Sequence, residues 1–365
     1  MSLDNLVDAL NHYALQKKRL EPENYVTMDA VRAFVPDWLP MGFMGPPGMH
    51  KGPDKQALLA DILAGNPVPD EYMLEAFGFT NAELQSAWKA SDPVVKPVPE
   101  KLVLMTFDDS TIDHYTIDHY TIAAPILEKY GGKGVFFTTE MKASSRTLGF
   151  EDKSAYMTWE QIKELSERGH EIGNHSLHHD LSYSKASLED IRASVAGLEE
   201  RCSKYDIPKP ITIGYPGGMV TPQVEQLLHE MGYLWGRGSM VDCTPRVVSD
   251  AIYDPHLHTP MVVPGTMPAS KEQLVEILSR VSGGKVLLRV FHDLTDTHMN
   301  DIPFEEEVAA IYENGGRCVT FRELMEYIDP VKAWNYMHPQ MPELLPMMDM
   351  PPMPPTADDH VPPKR

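Results

Sequence analysis

Two separate short stretches, Leu104-Met105-Thr106-Phe107-Asp108-Asp109 and His175-Ser176-Leu177-His178-His179, carry the side chains that a hydrolytic divalent-metal centre needs. An open metal site takes about three imidazole and carboxylate ligands and leaves positions for water and substrate. Asp109, His175 and His179 meet that count, with His178 as a rival for the second imidazole. The adjacent carboxylates of Asp108 and Asp109 raise one another's pKa, a penalty that a cation beside them removes. Two later stretches could complete such a site. In Gly214-Tyr215-Pro216-Gly217-Gly218 the glycines let backbone N–H groups approach a ligand closely, so Tyr215 and Gly217 are candidates for an oxyanion hole or substrate contact. Leu287-Leu288-Arg289-Val290-Phe291-His292-Asp293 reads as a strand whose end would place His292 to protonate a leaving group.

Such residues must be brought together by the elements that carry them. From Lys101 onward, short β-branched or aromatic runs alternate with helical patterns, the signature of a parallel sheet or barrel of βα units. The expected strands are Leu102 to Phe107, Gly134 to Thr138, Glu171 to Asn174, Ile211 to Gly214, Leu234 to Arg237, Val286 to Phe291 and Arg317 to Thr320. Strand ends converge on one face in such folds. If the chain turns helical at Ser176, the spacing puts His175 and His179 on one side of that turn. Thr158-Trp159-Glu160-Gln161 has the form of a capping box, with Gly169 as the matching C-terminal stop. A second helix starts at Ser187 with Leu188, Ile191, Val195 and Leu198 on one face.

The flanks read differently. Residues 1–97 form a helical extension, with amphipathic helices expected at Leu3 to Lys17, Met28 to Trp38, Lys55 to Gly65 and Glu71 to Ala90. Pro36 to Gly48 is too rich in Pro and Gly for regular structure. Asp92 to Pro99 reads as an extended linker, because each proline restricts itself and its predecessor. Residues 98–330 are the expected catalytic domain, and 331–365 a disordered Pro/Met-rich tail. Thr111-Ile112-Asp113-His114-Tyr115 is repeated at Thr116-Ile117-Asp118-His119-Tyr120, either as a simple loop duplication or to place a His or Tyr in the substrate cleft.

The chain has 365 residues, 42% hydrophobic and 23% charged, with a formal charge of -21. That charge disfavours nucleic acid and anionic membranes as partners. Cys202, Cys243 and Cys318 are widely spaced, which suggests core thiols and neither a disulfide framework nor a zinc ribbon. No run approaches the length of a membrane span, and Met1 to Asn5 shows no signal-peptide pattern. As written the chain reads as cytoplasmic; a chain trimmed of an export signal would read the same. No protein partner is evident.

In the order of these motifs the chain resembles the polysaccharide deacetylase family, with its NodB homology domain, known as carbohydrate esterase family 4. The resemblance runs from about Lys101 to Asp329 and rests on T-F-D-D followed by H-S-x-x-H. It implies an α/β fold, a distorted (β/α)7-type barrel, and a divalent metal on Asp109, His175 and His179: Zn2+ first, with Co2+, Ni2+ or Mn2+ as alternatives. It also implies Asp108 as catalytic base, His292 as catalytic acid, and an acetylated poly- or oligosaccharide as substrate. Two positions depart from the family pattern. Gly214 stands where the family has an arginine that orients the base, and Ser110 where it has a glycine. Arg237, on the next expected strand, could supply the missing guanidinium. Two other readings stand beside this one: an amidohydrolase of the same fold acting on a small amide or cyclic imide, and a non-catalytic carbohydrate-binding or scaffold protein.

Overall fold

The computed structural model describes residues 2–19, 55–109, 119–140, 157–238, 252–266, 268–292, 294 and 302–338. The expected helix at Met28 to Trp38, the run Pro36 to Gly48, Cys243, the first TIDHY copy with Thr116 to Asp118, and the tail from residue 339 all lie outside the described residues.

The described chain forms two compact units, 2–14 with 55–90 and 15–19 with 91–338. The first is helical: α1 (Leu3–Arg19), whose last residues count with the second unit, then α2 (Lys55–Ala64), α3 (Asp70–Phe77) and α4 (Asn81–Ala90). Leu6, Leu10, Leu58, Met73 and Leu84 share its core, and Trp88 donates its indole N–H to Asn11 Oδ1. The single helix expected over Glu71 to Ala90 is instead two. Gly78, at φ 85°, ends α3 and donates to the carbonyls of Met73 and Leu74. Thr80 and Glu83 then cap α4 reciprocally, side chain to backbone N–H in both directions.

The second unit is built on seven parallel strands: β1 (Lys101–Phe107), β2 (Val135–Thr138), β3 (Glu171–Asn174), β4 (Thr212–Gly214), β5 (Trp235–Arg237), β6 (Leu287–Phe291) and β7 (Gly316–Val319). They agree with the expected strands to within a residue at either end. β1 is central and, after Lys101, wholly buried, as a parallel strand covered on both faces must be. β6 pairs with one edge of β1 from Val103 to Phe107. The other edge is shared, by β7 at its start and by β2 at Thr106 and Phe107.

No eighth strand joins β5 to β6 among the described residues. The segment 260–266 spans the gap instead, with Val263 bridging Arg237 and Thr266 bridging Arg289. The curled sheet thereby becomes a distorted barrel.

The connecting helices are α5 (Ala124–Lys129), α6 (Trp159–Glu167), α7 (Leu188–Lys204), α8 (Pro222–Glu230), α9 (Lys271–Ser279), α10 (Phe304–Glu313) and α11 (Phe321–Leu324). The expected capping box opens α6, and Gly169 follows it at φ 88°. On α7 Ile191, Val195 and Leu198 are buried as expected, but Leu188 is exposed. Cys202 and Cys318 are buried free thiols. The Pro-rich linker is partly structured, since Val94 bridges Ile328.

Residues 331–337 do not belong to a disordered tail. They lie in α12 (Pro330–Met337), where Asp329 caps the N–H groups of Val331 and Lys332, Pro330 takes the first helical position, and Ala333, Trp334 and Tyr336 are buried.

Candidate metal centre

Asp108 and Asp109 leave the end of β1, and both are buried. His175 leaves the end of β3, where its N–H continues the strand pairing onto the Thr138 carbonyl at 3.0 Å. The Nε2 atoms of His175 and His179 lie 3.3 and 3.5 Å from Asp109 Oδ1. All three residues offer a ligand atom within 4.8 Å of one another. Asp109 Oδ1 is buried and has no hydrogen bond among the described residues, which is costly unless a cation completes it. A two-imidazole, one-carboxylate set suits zinc and its neighbours among the divalent metals.

The His175 imidazole is fixed by the main chain of β4. His175 Nδ1 lies 2.7 Å from the carbonyl of Gly214. A carbonyl can only accept, so Nδ1 carries the proton and the lone pair of Nε2 faces Asp109. Burial works against a charge on His175, but Asp108 and Asp109 outweigh it and raise its pKa. Burial likewise opposes the charge of Asp109, yet the adjacent His175 imidazole holds its carboxyl well below the usual range. His179, less enclosed, is lowered by burial and by the charge of His175.

The segment between the two histidines is not the helical turn expected. Ser176 and His179 have φ of 66° and 51°, and Asp109 has 68°. Only four described non-glycine residues have positive φ, and three of them stand here, so backbone strain is concentrated where ligands must be aimed. The loop is locked by its own polar groups. Asn174 Oδ1 accepts from the Ser176 N–H, and Ser176 Oγ from that of His179. Asn174 Nδ2 in turn donates to the Val195 carbonyl and the Tyr233 hydroxyl, which donates to Glu199. Asn174 was missed from the sequence, although Asn before a Ser is a known signal for such a turn. His178, the rival ligand, points elsewhere: its Nδ1 donates to the Glu140 carbonyl at 2.8 Å.

Beside the triad, Asp108 Oδ2 takes a short hydrogen bond from Arg237 Nη2. His292 Nε2 stands 3.5 Å from the same oxygen. The Asp108 N–H bonds the Phe291 carbonyl at 2.8 Å, tying the ends of β1 and β6 together. Asp108 Oδ1 has no hydrogen bond among the described residues. The arrangement thus combines a cluster that could hold a cation, a carboxylate oriented through one oxygen, and an imidazole with its side chain 41% exposed.

The oxyanion and substrate candidates fare unequally. Tyr215 is wholly buried, its hydroxyl donating to the Met261 carbonyl at 2.5 Å and its N–H to the Arg237 carbonyl. It has no group left to offer a substrate. Gly217 is exposed, at φ 69°, and a Cβ there would meet nothing within 4 Å. The turn itself requires this glycine, rather than close packing. Of the repeated pentapeptides, His119 is buried, and Tyr120 lies against the Arg168 guanidinium.

The model of the polysaccharide deacetylase family matches residues 95–235. The peptidoglycan-N-acetylglucosamine deacetylase of Bacillus cereus is 28% identical over 143 residues, 38% of this chain and 58% of that protein. A putative polysaccharide deacetylase of Bacillus subtilis, YxkH, is 28% identical over 141 residues, 39% of this chain and 46% of that one. The matched region therefore spans about half the length of these relatives. The solved peptidoglycan deacetylase PdaC of B. subtilis superposes with a TM-score of 0.39 at 18% identity, covering 64% of this chain and 92% of that one. The family match contains Asp108, Asp109, His175 and His179 and ends before Arg237 and His292. Residues 95–235 are thus similar to the polysaccharide deacetylase family.

Proposed function

We propose that the protein is a metal-dependent deacetylase that hydrolyses N- or O-acetyl groups on a poly- or oligosaccharide. The observation that carries this reading is the pairing of the Asp109, His175 and His179 cluster with a second carboxylate, Asp108, that is held by Arg237 and faced by His292. A binding protein would need the cluster at most.

A divalent cation, zinc first and Co2+, Ni2+ or Mn2+ as alternatives, would supply Lewis-acid polarisation of the acetyl carbonyl and lower the pKa of the attacking water. Arg237 engages Asp108 Oδ2, which leaves Oδ1 to take the proton as the water oxygen adds to the acetyl carbon. The Gly217 N–H, on the exposed turn after β4, is the candidate donor to the resulting oxyanion. His292 gives its proton to the departing amine nitrogen or alcohol oxygen as the bond to the acetyl carbon breaks, and acetate leaves.

The test is acetate release from N-acetylglucosamine oligomers, peptidoglycan and acetylated xylan, with metal content measured on the same samples. Asp109→Ala should lose metal and activity together, while Asp108→Asn should keep the metal and lose turnover. An active Asp108→Asn variant would contradict the base assignment. Hydrolysis of small amides or cyclic imides in place of acetylated sugars would overturn the substrate class.

A further inference from the structure

The loop that carries His175 and His179 is braced from behind by a run of hydrogen bonds whose directions are all forced. The Ser176 N–H can only donate and the Val195 carbonyl can only accept, so the Asn174 amide meets them with Oδ1 and Nδ2 respectively, at 2.8 and 3.0 Å. The second hydrogen on Nδ2 goes to the Tyr233 hydroxyl at 2.7 Å. That hydroxyl accepts from Asn174, so its own proton goes to Glu199 Oε1 at 2.9 Å. Glu199 Oε2 stands 3.3 Å from Nζ of the exposed Lys209. Asn174 and Tyr233 are both wholly buried. Burial pushes the Tyr233 phenol well above its usual pKa, so the proton stays in place.

The partners come from elements remote in sequence. Val195 and Glu199 lie about one turn apart on α7, and Tyr233 precedes β5. Asn174, the last residue of β3, is therefore tied to α7 at two points, once directly and once through Tyr233. Its hold on the Ser176 N–H turns the chain into the left-handed conformation of Ser176, at φ 66°. Ser176 Oγ in turn accepts from the N–H of His179. Each hydrogen of this run has a protein acceptor, so none of it waits on a cation.

We propose that Tyr233 is a positioning residue for the metal: through Asn174 it holds the loop from His175 to His179 in its ligating shape in the metal-free protein, and so sets the affinity for the cation. This rests on the reading of Asp109, His175 and His179 as a metal centre and on nothing about the substrate. Tyr233→Phe keeps the ring in the core it shares with Ile191, Val195 and Ile213 and removes only the hydroxyl. One buried N–H of Asn174 then loses its acceptor.

The test is titration of the metal-free full chain with Zn2+, and with Co2+ as a second probe whose absorption spectrum reports the ligand geometry. Tyr233→Phe should weaken Zn2+ binding by about 10-fold and Asn174→Ala by up to about 100-fold, the range for partners that stand behind metal ligands. In the double variant the two losses should not multiply, because Tyr233 acts through Asn174. A merely structural role would lower the thermal transition of the metal-free and zinc-loaded proteins alike and leave the affinity unchanged. Wild-type affinity in Tyr233→Phe, or losses that multiply in the double variant, would overturn the proposal. If Asn174→Ala does not fold, Tyr233→Phe decides alone: weaker Zn2+ binding with an altered Co2+ spectrum supports the role, and wild-type values of both refute it. A wild-type protein that takes up neither ion is a different failure, since it removes the metal-centre reading itself and this proposal with it.

Discussion

Position 214 matters for what it lacks. A Cβ built on Gly214 would lie 2.9 Å from Arg237 Nη2, 2.9 Å from Phe137 Cγ and 3.1 Å from His175 Nδ1. The register of β4 and β5 sets Gly214 opposite Arg237, so the guanidinium that holds Asp108 comes from one strand over and occupies the space a side chain at 214 would take. Arg237→Ala should lower kcat by about 10- to 100-fold, the usual cost of removing a group that orients a metal-site residue, with metal affinity kept. Gly214→Ala should reproduce that loss and also weaken metal binding, because the added methyl crowds the imidazole of His175 as well. Steady-state kinetics beside metal titration separates the two, and a Gly214→Ala protein unchanged in both would sink this account of the glycine. The members of the cluster and their order were legible in the sequence, because Asp109 and His175 stand just past strand ends and His179 follows four residues on. The arginine was legible only as a possibility, because its reach depends on which strands are neighbours and in what register.

The elements are held by buried polar groups that the hydrophobic pattern does not announce. Arg289, on β6, and Glu307, on α10, form a wholly buried pair, with Arg289 Nη2 3.0 Å from Glu307 Oε2 and Nη1 donating to the Thr266 carbonyl. This pair pins α10 and the barrel-closing segment 260–266 to the strand that ends in His292. Removing one partner of a buried pair leaves an uncompensated charge, so Glu307→Ala should destabilise the protein by about 3–5 kcal/mol, read by denaturant unfolding. A change below about 1 kcal/mol would mean that water reaches Arg289. The strands themselves were readable, since runs such as Leu102 to Phe107 are short, β-branched or aromatic and bounded by turn residues. Segment 260–266 was not, because Pro260, Pro264 and Gly265 read as loop and its pairing is only two isolated bridges. The helix Pro330–Met337 could have been found: Asp329 followed by Pro330 is a helix start, hidden by the proline-rich sequence after it.

At the scale of the molecule, the site joins parts of the chain that are far apart in sequence, and the fold stores unfavourable terms where they meet. Asp109, Ser176 and His179 hold left-handed backbone conformations, each worth about 1–3 kcal/mol of strain. Asp109 adds a buried carboxylate oxygen without a hydrogen bond among the described residues. A cation bound only by the folded second unit offsets these terms through mass action, by about 2.7 kcal/mol when free metal stands at 100 times its Kd. For a unit of this size each kcal/mol moves Tm by about 2–4 °C. Chelating the metal from the loaded protein should therefore lower the thermal transition of the second unit by about 5–11 °C, and readdition of Zn2+ should restore it. Asp109→Ala should show neither response, whereas Asp108→Asn, which leaves the three ligands in place, should show both. Calorimetry on the full chain reads the shift without relying on any substrate. A Tm indifferent to chelation would mean that the strained loop is held by the polar network of Asn174, Tyr233 and Glu199 alone, and the cluster would then lose its claim to be a metal centre.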